Sequence, residues 1–348
     1  MQKQLTTRNL RRFFAFAGTV ALFGLLQSAA NAASLIAKAK FTTFGVTGAS
    51  QTYVSAMNDG GVVTGSYLDS SGVYHGYSRT LNGSFTSFDA PESVDTFGDT
   101  INDAGAIAGE YLDSNSVRHG FFQAPSGTIT SFDAAPSSDT YVYGMNKKGV
   151  VTGIYIDNDD VQHGYVRAAN GRITTFDIPG STGTHPESVN DAGVITGGYT
   201  VDYNTWHGFM RTPGGTITSF DAPDATGTTV GVSIDGKGVI AGVYNEYNQE
   251  HGFVRTADGT FTEFDPPGST ETGPSSINNA GAITGTFNNG SGDLEGFLRA
   301  IDGTITVFFP KGGSVITNAE AMSVINNGAV AGWYATKTNK VRGFIFSK

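Results

Sequence analysis

Five of the six histidines, His75, His119, His163, His207 and His251, are spaced 44 residues apart, and each is followed fourteen residues later by an aspartate. The aspartates are Asp89, Asp133, Asp177, Asp221 and Asp265. An imidazole beside a carboxylate can move a proton or hold a metal ion, so five pairs offer five catalytic or metal-binding dyads. The same pair can also serve as a latch, in which the carboxylate satisfies an otherwise orphaned imidazole. The two residues are kept or lost together: where Glu295 and Arg342 replace histidine, Phe309 and Gly45 stand in place of aspartate. Counting outward from a hairpin centre at Asn82 puts His75 directly opposite Asp89 on neighbouring strands. Five pairs spread over a repeat array cannot converge on one substrate or ion, so the spacing predicts structural latches, worth roughly 3 to 5 kcal/mol each if buried and under about 1 if exposed.

The sixth histidine breaks the pattern. His185, with Pro186 and Glu187, is predicted to lie in a loop entering the fourth repeat. There, beside Glu187, it can act as a base, and otherwise it is a solvated loop side chain. Asp157, Asp159 and Asp160 share one short loop and offer oxygen ligands to calcium, although no loop has the full D-x-D-x-D-G series. Tyr74, Tyr203, Trp206 and Tyr247 are predicted on loops beside carboxylates, a combination that can stack on and hydrogen-bond a sugar. No G-x-S-x-G, H-E-x-x-H, phosphate-loop or paired-cysteine motif occurs.

The elements that must position these residues are written in a repeat. Phe41-Thr42-Thr43-Phe44 recurs with variation from 85, 129, 173, 217, 261 and 305, always at 44-residue steps, so seven units occupy residues 41–348. Within a unit, period-two alternation is cut by turn residues at fixed places, which predicts four short antiparallel strands. Asn-x-x-Gly, as in Asn102 to Gly105, joins the first two strands; Asn327-Gly328 is read as a tighter two-residue loop in the last unit. Glycines at Gly83, Gly127 and their equivalents close the hairpin between third and fourth strands. Gly65 and its equivalents are read as points of close sheet-to-sheet approach, and Arg79 as facing Phe85.

Four strands per unit predict an all-β, seven-bladed β-propeller of four-stranded antiparallel blades. The chain starts with a fourth-type strand and ends on a third-type one, so the N-terminal strand is expected to pair in the last blade and close the ring.

Composition narrows the function classes. Lys3, Arg8, Arg11 and Arg12 precede an apolar run from Phe13 to Leu26 and then Ala30-Asn31-Ala32, which predicts a signal peptide over residues 1–32 cleaved after Ala32. Arg11-Arg12 partly matches a twin-arginine signal, but general secretion fits the flanking residues better. Export to the periplasm or the medium is therefore expected. Removing four of the 21 basic side chains leaves 17 against 31 acidic ones, a net charge of about −14. That charge disfavours nucleic acid and anionic membranes, the run is too short for a membrane span, and a charged partner is expected to be cationic. With no cysteine there is no disulfide, thiolate metal site or cysteine nucleophile.

The units, with I-N-D-A-G-V-I-T-G-x-Y followed by H-G-F-x-R, resemble the HAF-repeat family of extracellular bacterial proteins over residues 41–348. Here the tripeptide reads His-Gly-Phe or His-Gly-Tyr, and the last two units lack its histidine. The resemblance implies secretion and propeller-like repeats, and assigns no activity. Taken together, the sequence predicts a secreted, non-catalytic scaffold that binds a glycan or protein through its loop-rich face, with no cofactor unless calcium binds. An extracellular hydrolase or lyase acting on a carbohydrate or lactone is the alternative, and a structural envelope protein is another.

Overall fold

The protein is described by a computed structural model covering residues 40–136, 138–310, 316–336, 338 and 340–347. The expected signal peptide lies outside the described residues. Every regular element among those residues is a β-strand, and no helix is long and apolar enough to cross a membrane.

The first complete unit shows the plan. Gln51–Met57, Val63–Leu68, Tyr74–Arg79 and Phe85–Phe88 pair in that order as an antiparallel meander. Four later units form separate four-stranded sheets of the same order, and a twelve-stranded sheet holds the remaining strands. The larger sheet consists of meanders linked by single parallel bridges, Gln51 to Val341 and Leu294 to Asn318. Within it Lys40–Phe44 pairs antiparallel with Val341–Ser347, Phe44 lying opposite Gly343. The spare N-terminal strand thus supplies the fourth strand of the last unit, as the register of the repeats requires. No single sheet closes on itself among the described residues.

Alternation places the apolar face of each strand between neighbouring sheets. The ring of each fourth-strand phenylalanine meets a third-strand aromatic of the next unit: Phe88 on Phe121 at 5.8 Å, Phe132 on Tyr165 at 6.0 Å, Phe264 on Phe297 at 5.8 Å. Tyr77, Phe121, Tyr165, Phe209 and Phe297 are fully buried, and each such side chain contributes roughly 2 to 3 kcal/mol by leaving water. Arginines bind the same seam. Arg79 does face Phe85, but its guanidinium lies closer to Phe44, at 4.5 Å against 5.9 Å, and Arg211 likewise covers Phe176 of the preceding unit at 4.5 Å. The interaction expected inside a hairpin is therefore chiefly a contact between units.

Every first strand carries a bulge, for example between Val54 and Ala56 and between Pro186 and Ser188. The bulge explains Gly65: a Cβ there would sit 2.0 Å from the Tyr53 carbonyl oxygen. The close approach is to the bulged strand of its own sheet, not to the adjacent sheet.

The Asn-x-x-Gly turns do more than reverse the chain. Asn58 Oδ1 accepts from the Val62 amide, and its Nδ2 donates to the Asn102 carbonyl of the next unit at 2.9 Å. Asn146 and Asn190 repeat this link to the units that follow them. In the last unit Ile325 replaces the asparagine, yet Gly328 still donates to Ile325 and Ile325 to Ala329, as Gly61 and Asn58 do in the first. The turn read as tighter has the same backbone pattern; Asn327 Oδ1 accepts the Ala329 amide as Asn58 Oδ1 accepts that of Val62, and with Ile325 in place of asparagine the turn lacks the side-chain link to the next unit's carbonyl.

Candidate functional site

All five histidine–aspartate pairs form, with Nδ1 to carboxylate distances of 2.8 Å at His75 and Asp89, 2.6 Å at His119 and Asp133, and 3.0 Å at His163 and Asp177. His207 to Asp221 measures 2.9 Å and His251 to Asp265 2.7 Å. Each ring packs on a second-strand tyrosine, as His163 does on Tyr155 at 4.8 Å. The histidines keep 18–28% of their side-chain surface and the aspartates 27–51%, so the pairs are partly exposed and each latch contributes little. In the first three units Nε2 also faces a loop carboxylate: Asp69 at 3.6 Å, Asp113 at 3.8 Å and Asp157 at 3.2 Å. Burial lowers the His163 pKa, but the hydrogen bonds and charges of Asp177 and Asp157 outweigh it and hold the ring above its ordinary value.

His185 departs furthest from its expectation. It lies on the strand Gly183–Val189, not in a loop, and is 4% exposed. Its Nδ1 is 2.7 Å from Glu187 Oε1, its ring stacks on Tyr143 at 4.8 Å, and Trp206 meets it edge-on at 6.0 Å. Nε2 is enclosed and has no hydrogen-bond partner. A buried imidazole oriented by a carboxylate through one nitrogen is the arrangement of a general base. The other nitrogen is shut away from solvent here.

Two units away a charged pair is buried that single-residue reading did not single out. Arg118 Nη1 donates to Glu110 Oε1 at 2.6 Å, and the guanidinium lies over Tyr141 at 4.9 Å. Burial works against the charge on Arg118, but Glu110, with Tyr141 and Asp99, raises its pKa above the ordinary value. The signal was available: Glu110 stands at a register position held by Ser66, Ile154, Gly198 and Val243 in other units. Glu250, at the register position of Arg118, is 8% exposed, and its Oε2 is enclosed without a partner. Burial, then the charge of Glu271, pushes its carboxyl well above the usual carboxylate range.

The loop residues divide. Tyr203 and Tyr247 stand at loop tips, 68% and 78% exposed. Both have left-handed backbone, φ 64° and 46°, a conformation bulky residues seldom adopt. Tyr74 and Trp206, expected beside them, instead begin third strands and are half-buried, Tyr74 packing on Phe97 at 5.2 Å and Trp206 on His185. Tyr74 thereby reaches the neighbouring unit, whereas Trp206 packs on the first strand of its own sheet.

Asp157 spends Oδ1 on the amides of Asp159 and Val161 and Oδ2 on His163, so it organises its turn. Asp157, Asp159 and Asp160 do not converge as metal ligands among the described residues; the group that does is His251, Glu263 and Asp265, within 4.8 Å of one another. The Thr272 hydroxyl already occupies Oδ1 of Asp265, and the latch occupies Oδ2.

This geometry is that of a β-propeller built from repeated four-stranded blades, and solved structures agree. The chain is similar to a streptogramin B lyase at 16% identity, covering 89% of this chain and 97% of that one, with a TM-score of 0.59. A catalytically inactive virginiamycin B lyase from Staphylococcus aureus with quinupristin gives 17% identity, 89% and 100% coverage, and a TM-score of 0.61. The propeller domain of the trilobed protease from Pyrococcus furiosus gives 13%, 85% and 95%, and 0.60. At these identities the likeness establishes fold alone. No protein-family model and no curated protein sequence matches the chain.

Proposed function

We propose that the chain is an exported, non-catalytic, seven-bladed β-propeller that binds an extracellular ligand, in our reading a glycan, through the loop face bearing Tyr203 and Tyr247. The observation that carries this is the pair of tyrosines itself. They occupy equivalent tips in consecutive units, remain mostly exposed, and are held in a costly backbone conformation. Flat aromatic surface beside a carboxylate such as Asp202 suits a sugar ring and its hydroxyls. Ring closure is supported by the five residue pairs between Lys40–Phe44 and Val341–Ser347, and by Asp59 of the first unit meeting Asn326 of the last. Export is supported by the basic start, apolar run and Ala30-Asn31-Ala32, and the HAF-like repeats agree with it.

Glycan-array binding of the purified chain, repeated with Tyr203→Gly and Tyr247→Gly, tests the reading. Retention on a defined glycan class that both variants lose is the expected result. Retention on no glycan, or unchanged binding by both variants, sinks it, and capture of a purified protein ligand instead would redirect it to protein recognition.

One observation favours a second reading, a lyase or hydrolase at His185. The His185–Glu187 pair is oriented as a base, and two of the similar propellers are lyases. It requires the enclosed Nε2 to be uncovered by substrate. Turnover of a carbohydrate or lactone abolished by His185→Ala would establish it.

A further inference from the structure

The fifth latch differs from the other four in one neighbouring residue. On the fourth strands, opposite the buried third-strand aromatic, stand Ser87, Ser131, Thr175 and Ser219, but in the fifth unit Glu263. In the first and fourth units that hydroxyl bonds to the second-strand tyrosine, Ser87 to Tyr67 at 2.9 Å and Ser219 to Tyr199 at 3.1 Å. Glu263 accepts from Tyr244 in the same way, but it carries a charge and a longer side chain. Two residues from Asp265, it shares that residue's face of the strand, and its Oε1 comes to 3.5 Å from His251 Nδ1.

Two carboxylates thus converge on one ring nitrogen. Asp265, 2.7 Å away, takes the hydrogen bond, and Glu263 at 3.5 Å stands too far off to share it well. Among the described residues, this latch alone brings three potential metal ligands to within 4.8 Å of one another. Ligands about 2.1 Å from a zinc ion stand roughly 3.4 Å apart in a tetrahedron. Glu263 keeps 47% of its side-chain surface, so a small rotation of that one side chain closes the group.

The surroundings supply room, orientation and field. Beside Glu263 lies a recess of about 80 Å³, bordered by Asp224, Tyr244 and the rings of Phe253 and Phe261, enough for about two water molecules. The Thr272 hydroxyl holds Oδ1 of Asp265 and leaves Oδ2 turned to Nδ1, while Tyr244 stacks on the imidazole at 5.4 Å. Metal ligands are oriented by neighbours in this manner. The charges acting on Tyr244 are those of Glu263, Glu246 and Asp224, all negative, which favours a cation at this place.

We propose that His251 Nδ1, Glu263 and Asp265 form a site for a divalent transition-metal ion of the zinc class, with water from the adjoining recess completing its shell. The ion takes the place of the latch proton: the neutral ring coordinates through Nδ1 and carries its proton on Nε2. One imidazole and two carboxylates suit zinc, and offer too few oxygens for calcium, which takes about six to eight. The site does not depend on the glycan reading.

Titration calorimetry of the metal-free full chain with zinc chloride and, separately, calcium chloride tests this. One equivalent of zinc is expected to bind with micromolar affinity or tighter and to raise the melting temperature, and calcium to do neither. Glu263→Ser, which installs the residue of equivalent units, should weaken zinc binding at least about tenfold. Without metal that variant should melt close to the parent, since the side chain it replaces is half-exposed. Glu263→Gln, which keeps the length of the side chain, should weaken zinc binding as well. Zinc binding no tighter than millimolar, or undiminished in either variant, overturns the site. Five equivalents of equal affinity, which would assign the ion to the latches at large, and calcium bound as tightly as zinc each overturn it too.

Discussion

Asn326 in the last unit donates its backbone amide and its side-chain amide to the two carboxylate oxygens of Asp59 in the first, at 2.9 and 2.6 Å. Asp59 also donates its own amide to Asp103 and receives Lys147 Nζ at 3.4 Å. One residue thus joins turns that are 44, 88 and 267 residues away in the chain, the first through its amide and the other two through its carboxylate.

Replacing Asp59 with alanine should loosen the junction between the first and last units. Because the carboxylate is only partly buried, the expected loss is about 1 to 2 kcal/mol. Urea unfolding measures it, and Asp191→Ala, which removes the acceptor for the Lys147 amide alone, should cost less.

His163→Ala should weaken the fold more in acid than in base. The folded ring has a raised pKa, so its contribution is fully present below the unfolded value of about 6.5 and fades as pH rises through the higher folded value. Since Asp177 is half-exposed, the effect should stay under about 1 kcal/mol. Melting temperatures of the two proteins at pH 5 and pH 9 decide it; a difference independent of pH would remove the ion pair from the account and leave only packing on Tyr155.

Glu110→Ala and Arg118→Ala each leave a buried charge without its partner, and each should cost roughly 3 to 5 kcal/mol. The double variant should lose less than the sum of the two. Additive losses in denaturant titrations would mean that the two charges do not depend on each other.

Tyr203→Gly and Tyr247→Gly should leave stability unchanged or raise it by up to about 1 kcal/mol, because glycine adopts a left-handed backbone without strain. Loss of ligand with no loss of melting temperature would separate a recognition role from a packing role.

Much of this architecture was written along the chain. A 44-residue period, strand-length alternation and glycines at turn positions specify four-stranded meanders, and a fourth-type strand at one end with a third-type strand at the other specifies their pairing. The latches could be read too, because cross-strand neighbours follow by counting from the turn: His75 opposite Asp89 is arithmetic. The junctions between units could not. Whether Arg79 covers Phe85 or Phe44, and whether Asn58 serves only its own turn, depends on how one sheet is rotated against the next, and no local period encodes that angle.

The chain by itself therefore determined the repeat, the strands and the residues that face one another within a sheet, since these obey short-range sterics and a period of two. Only the tertiary structure decided burial. It drew His185 out of an expected loop into a closed niche between Tyr143 and Trp206, left Tyr203 and Tyr247 in the open, and enclosed Glu250 with no partner for its Oε2. Those outcomes come from packing between units distant in sequence, where the surroundings of a side chain set its chemistry more than its identity does.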